Sequence, residues 1–76
     1  MKVKMSKPIY VLQVTKSNKY NGCYIHYGLG VTRNVKYAKK YKTLEKAQME
    51  ANRLENDWAF NKEVGSGIIP IVYKIK

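Results

Sequence analysis

The sequence predicts a single small α+β domain, in which one helix packs on one face of a short antiparallel sheet in the order ββαβ. Three observations predict this fold. β-Branched and aromatic residues fill residues 8–15, an Asn-Gly pair separates them from a similar stretch at 23–32, and apolar residues recur at helical spacing after Thr43. The chain has 76 residues, which is enough for one domain with a thin two-layer core.

The first strand is predicted at residues 8–15. Alternation along a strand places Tyr10, Leu12 and Val14 on one face, and we expect this face to pack on the core. The polar loop 16–22 that follows contains the Asn-Gly pair, which tolerates positive φ and is typical of a hairpin turn. The loop should return the chain antiparallel to the first strand.

A second strand is predicted over residues 23–32, where Gly28 and Gly30 fall on one face and indicate a bulge or a bend. Residues 33–42 fit either a short extra strand or an irregular connection with a helical turn. We expect a connection with some extended character, so that the sheet has three strands, or four if this segment pairs.

The helix is predicted to begin after Thr43, whose hydroxyl can accept hydrogen bonds from the first free amides, and to end near Asn61. Glu45 in its first turn suits the helix dipole. The stripe that should face the sheet comprises Leu44, Ala47, Ala51, Leu54 and Trp58. Trp58 is expected to be the main core anchor of the helix, so its replacement by Ala should cost about 3–5 kcal/mol.

A last strand is predicted over residues 68–76, with Ile69, Ile71, Tyr73 and Ile75 on one face. Pro70 has no amide donor, which favours an edge position or the start of the strand. Because a single helix covers one face of a sheet, we expect the other face to be open to solvent or to a partner.

The net charge of +10 is the most informative feature of the composition, with 15 Lys and Arg against five acids. Such a charge attracts nucleic acid or acidic protein surfaces. Only Arg33 and Arg53 are arginines, and Lys lacks the planar fork that reads guanine, so any nucleic-acid contact should be to the backbone with little base reading. The alternative is that the lysines serve solubility alone.

Cys23 is the only cysteine, so no disulfide can form within the chain, which fits a reducing compartment. The basic N-terminus is not followed by the apolar stretch of a signal peptide, and no segment has the roughly twenty apolar residues of a membrane span. We expect a cytoplasmic protein that does not bind membranes.

Catalytic constellations are missing from the sequence. His26 is the only histidine, and Cys23 should lie on the opposite face of the same strand, so neither a metal cluster nor a Cys-His pair is expected. The acids fall on or just after the helix, interspersed with Lys46 and Arg53, as in surface ion pairs. We therefore expect no enzyme activity, no metal and no cofactor.

Lysines and tyrosines alternate between the second strand and the helix, and they are the best candidates for a nucleic-acid contact. Lysines neutralise phosphates, and exposed tyrosines stack on unpaired bases. The candidate residues are Lys36, Tyr37, Lys39, Lys40, Tyr41, Lys42 and Lys46, joined by Lys16, Lys19 and Tyr20 of the first loop. The competing interpretation for Tyr37 and Tyr41 is that they are core residues beneath the helix.

The residues that enter the helix resemble a known group of proteins. Ala38, Tyr41, Thr43 and Ala47 form an Ala–x–x–aromatic–x–Thr–x–x–x–Ala pattern. It is similar to small ββαβ accessory proteins encoded by bacteriophages and prophages of Gram-positive bacteria, over about half of the chain. The resemblance implies a protein without catalysis, in the cytoplasm of the bacterial host, that binds nucleic acid or blocks a host nucleic-acid enzyme or defence complex. It implies no particular functional residues.

Two functions remain open at this point. In the first, the Lys and Tyr surface binds nucleic acid by charge and stacking. In the second, the protein is an inhibitor or adaptor, similar to anti-CRISPR proteins, that docks on an acidic surface of a host protein or dimerises through a sheet edge or the open face. One apolar tyrosine patch would favour the second function, and tyrosines scattered among lysines would favour the first.

Overall fold

The computed structural model describes residues 8–27 and 30–73. In chain order the elements are β1 (Ile9–Lys16), β2 (Tyr24–Ile25), β3 (Val31–Thr32), a short 3₁₀ helix (Val35–Tyr37), α1 (Leu44–Glu55), α2 (Trp58–Glu63) and β4 (Ser66–Tyr73). The strands form one antiparallel sheet in the order β3-β2-β1-β4. The predicted α+β class and the strand-helix-strand order are confirmed. Neither α1 nor α2 is long and apolar enough to cross a membrane.

The hairpin between β1 and β2 forms where the Asn-Gly pair predicts it. The amide of Cys23 donates to the carbonyl of Tyr20 at 2.9 Å, which closes a four-residue turn. Gly22 has a φ of +88°, a conformation that glycine adopts without steric cost. The turn therefore fixes the register in which Gln13 faces Tyr24.

The predicted second strand at 23–32 is wrong, because this segment is itself a hairpin. Ile25 of β2 faces Val31 of β3, and the amide of His26 donates to the carbonyl of Gly30 at 2.8 Å. A continuous strand would separate residues 25 and 31 by about 20 Å. A Gly-x-Gly sequence is a weak strand former that permits such a reversal. Gly28 and Leu29 lie outside the described residues.

Residues 33–42 form a connection with extended character, as predicted, rather than a regular strand. Asn34 caps the 3₁₀ helix by accepting from the amide of Lys36 at 2.9 Å. Beyond it the chain makes isolated antiparallel bridges, from Ala38 to His26 and from Tyr41 to Tyr10. These bridges extend the sheet beyond β2 and bring Tyr41 over the core.

Helix α1 begins as predicted, since the Thr43 hydroxyl accepts from the amide of Lys46 at 3.1 Å. Its end is not as predicted, because the helix stops at Glu55 rather than near Asn61. Asp57 caps a second helix by accepting from the amide of Phe60 at 3.1 Å. The interruption resets the helical phase, which shifts the core position from Trp58 to Phe60.

Trp58 is therefore not a core anchor, and the predicted apolar stripe is only partly buried. The indole is 74% exposed, whereas Phe60 is 7% exposed. Leu44, at the other end of the stripe, is 50% exposed because it lies in the first turn of α1. The core cluster comprises Leu12, Val14, Ile25, Tyr41, Ala47, Ala51, Leu54, Phe60 and Ile68.

Strand β4 lies at the edge of the sheet, as Pro70 predicts, and starts at Ser66, two residues earlier than expected. Ile68 faces Val14 and Pro70 faces Leu12, so the even-numbered residues of β4 share the helix-covered face with the core of β1. Ile69, Ile71 and Tyr73 share the opposite face, as predicted, and Ile75 lies outside the described residues.

Candidate nucleic-acid interface

The two layers of the fold differ in charge. All five acids lie within residues 45–63, which is the segment of α1, α2 and the turn between them. Residues 1–44 contain ten Lys and Arg and no acid. Three acids also serve the structure, because Glu50 pairs with Arg53, Asp57 caps α2, and Glu55 binds the start of β4. The described sheet and its connection therefore carry only positive formal charge.

The predicted contact residues fall into two groups at opposite ends of β1. Tyr41 bridges to Tyr10 near the start of the strand, whereas Lys16 at its end faces Ser66. Six residues of extended chain separate these points by about 20 Å. We name the group around Tyr41 the connection group and define it as Lys36, Tyr37, Lys39, Lys40, Tyr41, Lys42 and Lys46. Lys16, Lys19 and Tyr20 form the loop group.

The lysines of the connection group do not form one surface. The Lys39 ammonium lies 5.3 Å from the ring centroid of Tyr41, on the helix side of the sheet. The Lys40 ammonium lies 4.8 Å from the ring centroid of Tyr73 and donates to the carbonyl of Lys36, on the opposite side. Successive side chains in extended backbone point to opposite faces, which separates these two lysines.

The structure resolves the question about the two tyrosines of the connection group. Tyr37 is 55% exposed in the 3₁₀ helix, so its ring is available to a base. Tyr41 is 8% exposed and belongs to the core, so its prediction as a stacking residue is wrong. Its hydroxyl has no hydrogen-bond partner among residues 8–27 and 30–73, and burial, with a smaller effect of Glu50, raises the pKa of Tyr41 to about 12.

Lysines with a tyrosine beneath them occur on both sides of the sheet. Tyr27 and Tyr37 are the tyrosines with more than half of their surface exposed among the described residues. Both of the cation-π contacts made by tyrosine there involve lysine. The tyrosines of these two contacts, Tyr41 and Tyr73, lie on opposite sides of the sheet.

The loop group lies at a cleft of about 610 Å³ between the first loop and the chain that joins α2 to β4. Lys16 and Lys19 both line it, together with Lys62, which the sequence analysis did not select. Tyr20 is half-buried, and its amide donates to the Ser17 hydroxyl at 2.9 Å. The loop group therefore supplies lysines to a concave site, and the backbone amide of Tyr20 helps to hold the loop.

Close backbone contacts fix the walls of this cleft. The Ser17 hydroxyl donates to the carbonyl of Val64 and so joins the two sides. Gly65 has a φ of +141°, and a Cβ atom there would lie 2.5 Å from the carbonyl oxygen of Lys16. Only glycine permits this close approach of the two walls.

Besides Lys62, two residues at or beside the site were missed by reasoning from the sequence. Trp58 stands exposed on α2 with the Lys62 ammonium 5.0 Å from its ring centroid. Arg33 donates to the carbonyl of Lys19 at 3.4 Å, which adds a charge beside the loop group. The available signal was Asp57, a good N-cap residue that marks a new helix start one residue before Trp58.

Over residues 8–27 and 30–73, no group of three His, Cys, Asp or Glu side chains is placed to hold a metal ion. Cys23 is buried, and the Nδ1 atom of His26 lies 2.9 Å from the carbonyl of Tyr27. In comparisons with known proteins, no family model, curated protein or solved structure shows a significant match to this chain.

Proposed function

We propose that this protein binds nucleic acid without catalysis, as an accessory protein of the bacteriophage type. Its basic surfaces would neutralise backbone phosphates, and exposed aromatic rings would stack on bases. The observation that supports this most is the segregation of charge, with every acid in the helical segment and none in residues 1–44. A strand of phosphates is attracted to the sheet layer and its connection, and no carboxylate there opposes it.

The composition of the basic surface indicates the type of binding. Lys36, Lys39 and Lys40 are flexible point charges, and no arginine lies in the connection group to read a base edge. Binding of this type is salt-dependent and weakly sequence-specific, with dissociation constants of about 10⁻⁴–10⁻⁶ M at physiological salt. Because the lysines occupy both sides of the sheet, we expect the nucleic acid to pass around its end rather than along one face.

Charge reversal in the connection group tests the proposal. Replacing Lys36, Lys39, Lys40 and Lys42 together with Glu should abolish binding to a fluorescent oligonucleotide and leave the far-UV spectrum unchanged. The single variants Lys39→Glu and Lys40→Glu then measure how much each side of the sheet contributes to the binding affinity. Each variant changes the net charge by the same amount, so the difference between them reports the side and not the charge. A folded fourfold variant with the affinity of the wild type would show that the connection group is not the contact surface, and absence of oligonucleotide binding by the wild type at low salt would refute the proposal.

A second candidate is an inhibitor of a host protein, and the exposed apolar residues of the helical layer favour it. Trp58 and Met49 are 74% and 66% exposed, and an exposed Trp is typical of the centre of a protein interface. An acidic host surface would satisfy the same lysines. If oligonucleotides fail to bind even at low salt, a host protein that is captured by the wild type and lost with Trp58→Ala would support this candidate.

A further inference from the structure

The sole tryptophan lies beside the cleft that the first loop forms with the chain joining α2 to β4. Trp58 and Lys62 are one helical turn apart on α2, and Lys62 both contacts the indole and lines the cleft. Lys16 and Lys19 enter the same cleft from the opposite wall. An exposed planar ring is thus joined through Lys62 to a concave site that three lysine residues line.

We infer that Trp58 and this cleft bind one nucleotide unit of a single-stranded nucleic acid, with the base on the indole and a phosphate among Lys16, Lys19 and Lys62. The inference rests on the proposed function and assigns its main stacking residue. It places that residue on α2, outside the connection group that the sequence indicates.

The exposure of Trp58 is what supports a stacking role. An indole with three quarters of its surface in water adds almost nothing to the core, because Phe60 fills the adjacent position there. Trp offers the largest ring face of any side chain, and stacking of a base on an aromatic residue is sequence-tolerant. Tyr41 is buried, so it cannot take this role.

The ligand is expected to be single-stranded, because stacking on the indole requires a base whose face is free. A paired base is already stacked on its neighbours, whereas an unpaired base offers its whole face to an aromatic ring. The phosphate-binding half of the site is already formed, since Ser17 and Gly65 fix its walls. The phosphates of a duplex could contact the lysines, but its paired bases could not stack on the indole.

Glu63 is the one acid that lines the cleft, and its substitution tests whether a phosphate binds there. A carboxylate there repels a phosphate at short range, so Glu63→Gln should strengthen binding about two- to fivefold at low salt. The same substitution should leave binding unchanged if phosphate groups contact the connection group alone, which is remote from α2 along β1.

The fluorescence of Trp58 provides the test, since the chain has no other Trp. The full protein is titrated with oligo(dT), with a duplex of equal length, with thymidine monophosphate and with inorganic phosphate. We expect saturable quenching by oligo(dT) and little by the duplex. Thymidine monophosphate quenching with equal affinity would support the same site with a free nucleotide as its ligand, and inorganic phosphate alone should not quench.

Variants separate stacking from charge. Trp58→Ala should weaken oligo(dT) binding, followed by fluorescence anisotropy, about 10- to 100-fold, which is the range measured for loss of one stacked base. Lys62→Gln should weaken it more than Lys42→Gln, which removes the same charge outside the cleft. If wild type and Trp58→Ala bind oligo(dT) equally, the inference is overturned while the proposed function stands. If the wild type binds no oligonucleotide at all, both fall.

Discussion

The carboxylate of Glu55, in the last turn of α1, accepts a hydrogen bond of 3.0 Å from the backbone amide of Ile68 in β4. Its second oxygen accepts from the amide of Gly67 at 3.1 Å. Ile68 faces Val14, whose own amide points to Cys23 across the sheet, so the Ile68 amide points to the outer edge of β4. Pro70 is two residues further along β4, so its backbone nitrogen lies on the same outer edge, and proline has no N–H to donate. Glu55 and Pro70 together leave few donors for another strand, which argues against dimerisation through this edge.

Removal of the Glu55 carboxylate tests this arrangement. Glu55→Ala should lower the free energy of unfolding by about 1–3 kcal/mol, because two backbone amides lose their acceptor. Glu63→Ala removes an exposed acid of the same charge and should change stability by less than about 0.5 kcal/mol. Urea denaturation measures both. Sedimentation should also show more self-association for Glu55→Ala, and equal stability of the two variants would contradict the assigned role.

The phase shift between α1 and α2 predicts opposite outcomes for two neighbouring aromatic residues. Trp58→Ala should change the free energy of unfolding by less than about 0.5 kcal/mol, since the indole is exposed. Phe60→Ala should cost about 3–5 kcal/mol, because it leaves a cavity in the core cluster. Thermal denaturation of the two variants decides between this helix break and a single helix anchored by Trp58, for which the order would be reversed.

The buried hydroxyl of Tyr41 predicts a specific loss of stability in alkali. With the pKa raised from 10.0 to about 12 in the folded protein, the folded state retains a proton that the unfolded state releases. The protonated Tyr41 hydroxyl therefore contributes fully to the free energy of unfolding below pH 10. As the pH rises to about 12, the free energy of unfolding falls by about 1–2 kcal/mol.

Tyr41→Phe provides the control for this effect. The variant should not show the part of the fall in stability at alkaline pH that comes from ionisation of Tyr41. Near pH 7 it should be as stable as the wild type or more stable by about 1 kcal/mol, because a buried hydroxyl without a partner among the described residues is removed from the core. Denaturation in urea at a series of pH values compares the two proteins. Identical curves from pH 9 to pH 12 would show that the hydroxyl is not buried.

Much of the fold could be predicted from the preferences of short stretches of adjacent residues. The β1 strand, the turn at Gly22, the cap at Thr43 and the edge position of Pro70 each depend on a few adjacent residues, and all four are confirmed. The reversal after Ile25 was not predicted, because a ten-residue apolar run fits one long strand as well as two short ones. Only the pairing of Ile25 with Val31 separates these choices.

The candidate site was predictable in composition and not in arrangement. The excess of lysine and the presence of tyrosine nearby are properties of the sequence. The separation of Lys39 from Lys40 depends on a segment that is extended without being a regular strand. The exposure of Trp58 depends on a helix break at Asn56 and Asp57, and a spacing rule that assumes one continuous helix carries Trp58 into the core instead.

The central claim is binding to nucleic acid through backbone charge with stacking, and a salt titration tests it most directly. The affinity of the wild-type protein is measured for single-stranded DNA, duplex DNA and RNA between low and physiological salt. We predict a linear log–log dependence with a slope that corresponds to several phosphates, and a preference for single strands that persists at physiological salt. Affinities that vanish equally for all three before physiological salt is reached would contradict the claim and leave the charge as a general surface property.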